Sequence, residues 1–541
     1  GRPVKWIEDR TEHMMAGGHA CAQEIEAEAA VKNDGTVLGL KFKEYDDVGG
    51  SISTLTIHFT NKLNNLSNTY NTPAIYMEGN AVVTNKCPVI PNRGIGKPGM
   101  CFIWERMMDR VAQALNLSPI EVRRKNLIQA NEMPYTTISG NVYDSGDYPG
   151  LLKTLLEKID YDKLRAEQKT AREQGKLIGI GIVIGVEPGG RNAARDMAIF
   201  PEMKEPPGSG GVNGAKIKLE KNGTLSLHLG SPNCGQAHET TTAQVAADIL
   251  GSTPDKFSTS IPFDSDLSSW GVAAANSGNN FHLYDIGAIH GAASKLREKI
   301  LKLAAFNLKA EPSELTIEDS VVKVPGAAAK QITFAELGRI AYNNQHLIPE
   351  DMEPGLEATF YYMFPHARPN IVPGADRRVR AQFTFSAGAH AAIVEVDKNT
   401  GSVHVLRYLI VGDNGTVINP DVVNGQVYGS AAHGIAVALG EGFMYSPEGQ
   451  PLTITYLDYG KCSTAETPRV EVIHQPSPSP FTPLGQKAAG EGAAIPSPAA
   501  IASAVEDALQ PYGVKVCELP ITPEAVWRLI NHNPEKERRT F

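Results

Sequence analysis

The chain has 541 residues, enough for several domains or one large two-domain body, with the 21% charged and 42% hydrophobic content of an ordinary globular protein. Lys and Arg number 51 against 60 Asp and Glu; the net charge of −9, without a basic block, argues against a nucleic-acid partner. No apolar run approaches a membrane span, and six scattered cysteines (Cys21, Cys87, Cys101, Cys234, Cys462, Cys517) without a CxxC pair fit neither a zinc ribbon, nor an iron–sulfur cluster held by this chain, nor a secreted disulfide scaffold. Reduced thiols in a cytoplasmic protein are the expectation.

Arg2 to Ile7 reads as a strand that enters a charged turn at Glu8-Asp9-Arg10. Glu24–Val31 and Val37–Tyr45 read as strands around an Asn33-Asp34-Gly35 turn. The loop Pro91-Asn92-Arg93-Gly94-Ile95-Gly96-Lys97-Pro98-Gly99 precedes a helix with Ile103, Met107, Val111 and Leu115 at helical spacing. Ser118-Pro119-Ile120-Glu121 has the form of a capping box for a second helix. After Tyr143–Tyr148 and a helical segment to about Glu173 comes Gly179-Ile180-Gly181-Ile182-Val183-Ile184-Gly185. No helix opens at its end, so a buried strand is expected rather than a dinucleotide loop. Residues 187–214, rich in Pro and Gly, read as a long loop and as the boundary between two halves.

The second half opens on a hairpin, Ala215–Leu219 and Leu225–Leu229, around Lys221-Asn222-Gly223. Gly235-Gln236 lies at a strand-to-helix junction, where an amide and free backbone N–H groups suit a phosphate or a pterin. Asn276-Ser277-Gly278-Asn279-Asn280 leads into a helix from about Tyr284 to Phe306. A further hairpin, Ala391–Val396 and Val403–Val411, feeds the segment that carries Gln426. Prolines 476, 478, 480 and 483 stiffen the approach to a Gly- and Ala-rich loop with one carboxylate, Glu491. Ser497 reads as the cap of the helix that follows, and Thr522-Pro523 opens a last short helix before a polar tail. On local chemistry alone, Glu491 suits either a solvated turn or a general base aimed at a bound group.

Thr482-Pro483-Leu484-Gly485, Lys487 and Gly490-Glu491-Gly492 resemble the "TPLGxKGxGEG" signature of the molybdenum hydroxylases, the relatives of xanthine dehydrogenase, aldehyde oxidase and carbon monoxide dehydrogenase. Ala488 stands where that signature has Gly. Arg93 to Ile128 resembles the family's "RGxGxPE…ERxMDxxAxxLGxDPxExRRxNLI"; Gly230 to His238 resembles "GxxExGQGxxT", with Ala237 for the last Gly. Val411 to Gly429 resembles "VxDxGxxINPxxVxGQxxGG". The opening residues resemble the middle of the family's large subunit, so its front "GGxFGxK" loop is expected from a separate chain or a longer gene product. Gly94 stands where the copper-containing carbon monoxide dehydrogenases carry Cys, which disfavours a copper-bridged site.

The resemblance implies an α+β fold of two elongated mixed α/β molybdopterin-binding domains, residues 1–200 and 201–541, with the cofactor clamped between them. It implies Glu491 as catalytic base and Arg93 as the residue that orients substrate or stabilises developing charge. Gly235, Gln236, Gly278, Asn279, Asn280, Gln426 and Gly490 are the implied cofactor contacts, with Asn92 and Ile95 in the substrate pocket. The implied activity is oxidation of an electron-poor carbon, as in an N-heteroaromatic, with water-derived oxygen. The implied cofactor is molybdopterin with Mo, in the cytosine dinucleotide form. Electrons would leave to an iron–sulfur subunit; a flavin (FAD) subunit and a chain supplying the front segment are further partners it suggests. An aldehyde oxidoreductase and a non-catalytic cofactor-holding subunit are the alternatives, and aromatic thioesters also stay open as substrates.

Overall fold

The computed structural model describes residues 1–20, 22–50, 55–198, 200, 202–204, 211–260, 277–368 and 371–531. Cys21, Asn276, the 205–210 part of the expected boundary loop and the expected polar tail from 532 lie outside the described residues.

A four-stranded sheet organises the site. Its order is Val470–His474, Val403–Asp413, Gln382–Val396, Leu177–Arg191; the first pairing is parallel and the others antiparallel. The sheet therefore takes strands from both sides of residue 200. Side chains alternate along its long strands. Ile180, Ile182, Ile184 and Val186 face a core with Trp104, Leu151 and Leu155, whereas Val183, Val394 and Ile410 face Ile435, Ile501 and Val505. The Gly-Ile-Gly-Ile pattern thus has a cause. On the second face a Cβ at Gly179 would lie 1.8 Å from Ala504 O, and one at Gly181 would lie 2.1 Å from Ala500 O. Bare backbone at these positions lets the Ser497–Ala508 helix, itself rich in Ala, rest directly on the strand. That contact fixes where the helix begins, and so where the loop before it must run.

A second four-stranded sheet, Glu357–Tyr362, Asn213–Leu219, Leu225–Leu229 and Phe257–Ser260, packs on the His238–Leu250 and Ile286–Leu308 helices. A three-stranded sheet, Ala22–Val31, Val37–Gly49 and Ile75–Val83, lies nearer the Lys97–Leu115 helix. Both expected hairpins of the second half are present, as is the buried strand over 179–185. A buried ion network ties the two ends of the chain together: Arg123 pairs with Glu105 and Asp109, and Arg106 pairs with Asp109 and Glu506 on the Ser497–Ala508 helix. Among the described residues no helix is long and apolar enough to cross a membrane.

Four local expectations are corrected. Arg2–Ile7 is not a strand; no described strand pairs with it, and Trp6 is 72% exposed. Instead Asp9 and Glu12 form a capping box for a helix, Arg10–Ala16. Residues 187–191 continue the long strand rather than open a loop, because their backbone pairs with 382–386. Ser118 is a single cap, accepting Ile120 N–H, while Glu121 pairs with Arg124. Ser497 is already inside its helix: its Oγ donates to Ala493 O and accepts from the Tyr408 hydroxyl.

Candidate active site

A cleft of about 820 Å³ opens where the Glu491 loop, the Arg93 loop, the start of the Pro420–Leu439 helix and the turns before the His238–Leu250 and Ile286–Leu308 helices converge. The Glu491 loop is pinned before it reaches the carboxylate. Ala488 O accepts from Ser386 Oγ at 2.6 Å and Asn414 Nδ2 at 2.7 Å, and the buried Lys487 pairs with Asp413 at 3.1 Å. The Ala488 methyl occupies space that a glycine opposite leaves open, since a Cβ on Gly189 would lie 2.7 Å from it.

Glu491 is only 16% exposed and forms an ion pair with Lys97, which is itself 2% exposed. Asn279 Nδ2 lies 3.4 Å from the Glu491 carboxylate. The Glu491 backbone N–H donates to Glu187 Oε1 at 2.5 Å, and Asn279 donates to the same oxygen at 3.0 Å. Arg93 spans the cleft floor: its Nε donates to Gly490 O at 2.6 Å, and its NH2 group donates to Gln426 Oε1 at 2.8 Å and Gln426 O at 3.2 Å. Burial pulls the Arg93 guanidinium below its ordinary range, opposed by the charges of Glu187 and Glu491. Burial, and then repulsion from Glu491, pushes the Glu187 carboxyl up to about 7. His282, which lines the cleft beside Asn279 O, is lowered to about 4 by desolvation.

Of the residues expected at the site, Asn92, Arg93, Ile95, Gly235, Gln236, Gly278, Asn279, Gln426, Gly490 and Glu491 all line this one cleft. Asn280 is not among the lining residues; it is buried, with Oδ1 accepting the Arg191 N–H at 2.7 Å. The Gly235 and Gln236 N–H groups are engaged by Asn233 Oδ1, closing a turn ahead of the helix. Sequence reasoning passed over Lys97, Glu187, Arg191, Arg195 and Lys487. Lys97 and Lys487 stood inside quoted motifs, and for Lys97 the flanking Gly96 and Pro98 were the available signal.

The donor set suits a polar, anionic group. Among the described residues, Arg93, Lys97, Arg191, Arg195 and Lys487 line the cleft against one carboxylate, Glu491, among the amides Asn279, Asn414, Asn419, Gln426 and Gln486. Lys97 and Lys487 have carboxylate partners and Arg191 and Arg195 share Asp196; among the described lining residues cationic side chains outnumber carboxylates. A phosphate-bearing pterin fits that balance.

Residues 154–468 and 1–127 each match a family model described as a molybdopterin cofactor-binding domain. The chain belongs to the molybdenum hydroxylase family. It is 33% identical to the nicotine 6-hydroxylase large subunit of Paenarthrobacter nicotinovorans, over 97% of this chain and 62% of that one. It is 32% identical to the carbon monoxide dehydrogenase large chain of Hydrogenophaga pseudoflava, over 98% and 64%. The crystal structure of quinoline 2-oxidoreductase from Pseudomonas putida 86 superposes with a TM-score of 0.87 at 32% identity, covering 98% of this chain and 65% of that one. The chain thus spans under two thirds of these molybdenum hydroxylase relatives, with the α+β, two-domain molybdopterin-binding architecture of the family.

Proposed function

We propose that the chain is the molybdopterin-binding part of a hydroxylase that oxidises an electron-poor carbon of an N-heteroaromatic substrate with water-derived oxygen. One observation carries the reading: Glu491, the one carboxylate lining the cleft among the described residues, shares a cavity with Arg93, Gln236 and Gln426, residues from segments far apart in sequence. The names of two relatives, which specify nicotine and quinoline, support a nitrogen-containing ring as substrate class. Gly94 offers no thiol at the head of the Arg93 loop, and Cys101 is buried within the Lys97–Leu115 helix, so a copper-bridged centre is not part of the reading.

The bound cofactor supplies the two-electron redox chemistry. Gln236, Asn279 and Gln426 would hold the cofactor, in its cytosine dinucleotide form, with Asn419 a further donor lining the same cleft. Arg93 orients substrate and stabilises negative charge that develops on it. Glu491 accepts the proton lost from the oxygen nucleophile, and Lys97 holds its carboxylate in place until then. Electrons pass to an iron–sulfur partner, with a flavin subunit beyond it.

The test is Glu491→Gln in the assembled complex. Molybdenum content and pterin fluorescence should match the parent, while dye reduction with a heteroaromatic substrate falls by at least about a thousandfold. Retained turnover would remove the assigned base.

A further inference from the structure

Along the Leu177–Arg191 strand, position 187 continues the alternate row of Gly179, Gly181 and Gly185 that meets the Ser497–Ala508 helix and the loop before it. Here the row ends in a buried carboxylate. Glu187 Oε1 takes both the Glu491 backbone N–H and an Asn279 N–H, and the same Asn279 nitrogen reaches Glu491 Oε2. The glycines on either side of Glu491 are what allow this approach. A Cβ at Gly490 would lie 2.5 Å from Asn279 Oδ1, and one at Gly492 would lie 2.6 Å from Glu187 Oε2. That second oxygen is buried and, among the described residues, accepts no hydrogen bond.

We propose that Glu187 is the positioning residue of the Glu491 base: one buried carboxylate fixes the base's backbone directly and its carboxylate through Asn279, and its charge couples to that of the base. The inference rests on the reading of Glu491 as base. A purely structural carboxylate would hold the loop equally well as an amide and would leave no mark on the pH profile. The charged groups that face Glu187 are Glu491, Lys97 and Arg93. Its carboxyl, pushed up to about 7, exchanges its proton near neutrality, and the ionised form accepts the two N–H groups more strongly.

The experiment uses the full chain in its purified complex, with hydrogen exchange of the peptide covering residues 485–496 as a readout independent of turnover. Glu187→Ala should raise exchange there about tenfold or more and lower kcat by about ten- to a hundredfold. Glu187→Gln should restore exchange to within about twofold and recover most of kcat, yet erase an inflection near pH 7 in the kcat profile. The carboxylic C=O band that titrates near neutrality in infrared difference spectra should vanish in the same variant. Parent-like exchange in Glu187→Ala, or survival of the inflection or of the band in Glu187→Gln, would overturn the proposal. If Glu187→Ala does not fold, Asn279→Ala removes the bridge, with molybdenum and pterin content measured because Asn279 also faces the cofactor cleft: kcat per bound cofactor lowered with the 491 amide still protected supports it, and unchanged kcat overturns it. Turnover by Glu491→Gln would sink the base reading, while exchange and infrared would still report whether Glu187 holds the loop.

Discussion

Lys97 and Glu491, 394 residues apart in the chain, meet as an ion pair at the edge of the cleft. Lys97 starts the Lys97–Leu115 helix, and Glu491 sits just before the Ser497–Ala508 helix, so the pair also joins the two helices that the Arg106–Glu506 contact joins further along. Lys97→Met should lower kcat/KM by about ten- to a hundredfold, because an unbalanced carboxylate in a largely desolvated pocket loses its orientation. Lys97→Arg should recover part of the loss. Steady-state kinetics on the assembled complex, with molybdenum content as control, measures this.

Gly492→Ala tests the close approach of the Glu491 loop to its support. The added methyl would lie 2.6 Å from Glu187 Oε2, inside any permitted contact, so either the Glu187 carboxylate leaves the Glu491 N–H or the loop lifts. Overpacking of this kind costs about 1–3 kcal/mol. Activity should fall by more than that stability change explains, since the base itself moves. Comparing kcat with the thermal midpoint in the same preparation decides it.

Gly181→Ala should act on stability first. Its Cβ would lie 2.1 Å from Ala500 O, and backbone on both sides leaves no flexible side chain to yield. A loss of about 3 kcal/mol or more is expected in denaturant unfolding of the full chain, larger than for a surface Gly→Ala change.

Asp285 offers a pH-dependent test away from the cleft. It is fully buried, accepts from Asn213 Nδ2 and Ser231 Oγ at 2.5 Å each, and burial pushes its carboxyl up to about 7. The folded chain therefore keeps a proton that the unfolded chain gives up above its ordinary carboxylate range. Stability from this residue is present at low pH and is lost as pH rises from about 4 to about 7, by at most about 4 kcal/mol. Asp285→Asn should flatten that slope relative to the parent in unfolding series across the window. An unchanged slope would mean that Asp285 is ionised in the fold.

Much of the site was legible because it is built from loops whose residues have special chemistry. Gly-Glu-Gly, Arg-Gly and Gly-Gln each announce a backbone or a donor that must approach something closely, and Gly490, Glu491, Arg93, Gly235 and Gln236 from them line the cleft. Periodicity revealed the hairpins and the strand over 179–185, since a strand buried on both faces reads as an unbroken apolar run. The misses have a common physical source. Glu187-Pro188-Gly189-Gly190 looks like a turn by composition, yet pairing with Gln382–Ser386 holds it extended. Arg2–Ile7 has the residues of a strand but no neighbour to bond with. Local preference cannot report which distant segment will supply a ladder, and for the same reason Lys97 and Glu187 showed their charge but not their partner.

The links that hold Glu491 reach to positions 97, 187 and 279, and Arg93 ties its neighbour Gly490 to position 426. During synthesis the links to Gly490 and Glu491 cannot close until the ribosome has passed the Glu491 loop, after the other walls have emerged, whereas the Arg93–Gln426 and Asn279–Glu187 contacts need only earlier segments. A nascent or partly collapsed polypeptide can therefore present anion-binding turns without a working base. On the proposed reading of Glu491, the site is complete only once this late-made loop has docked.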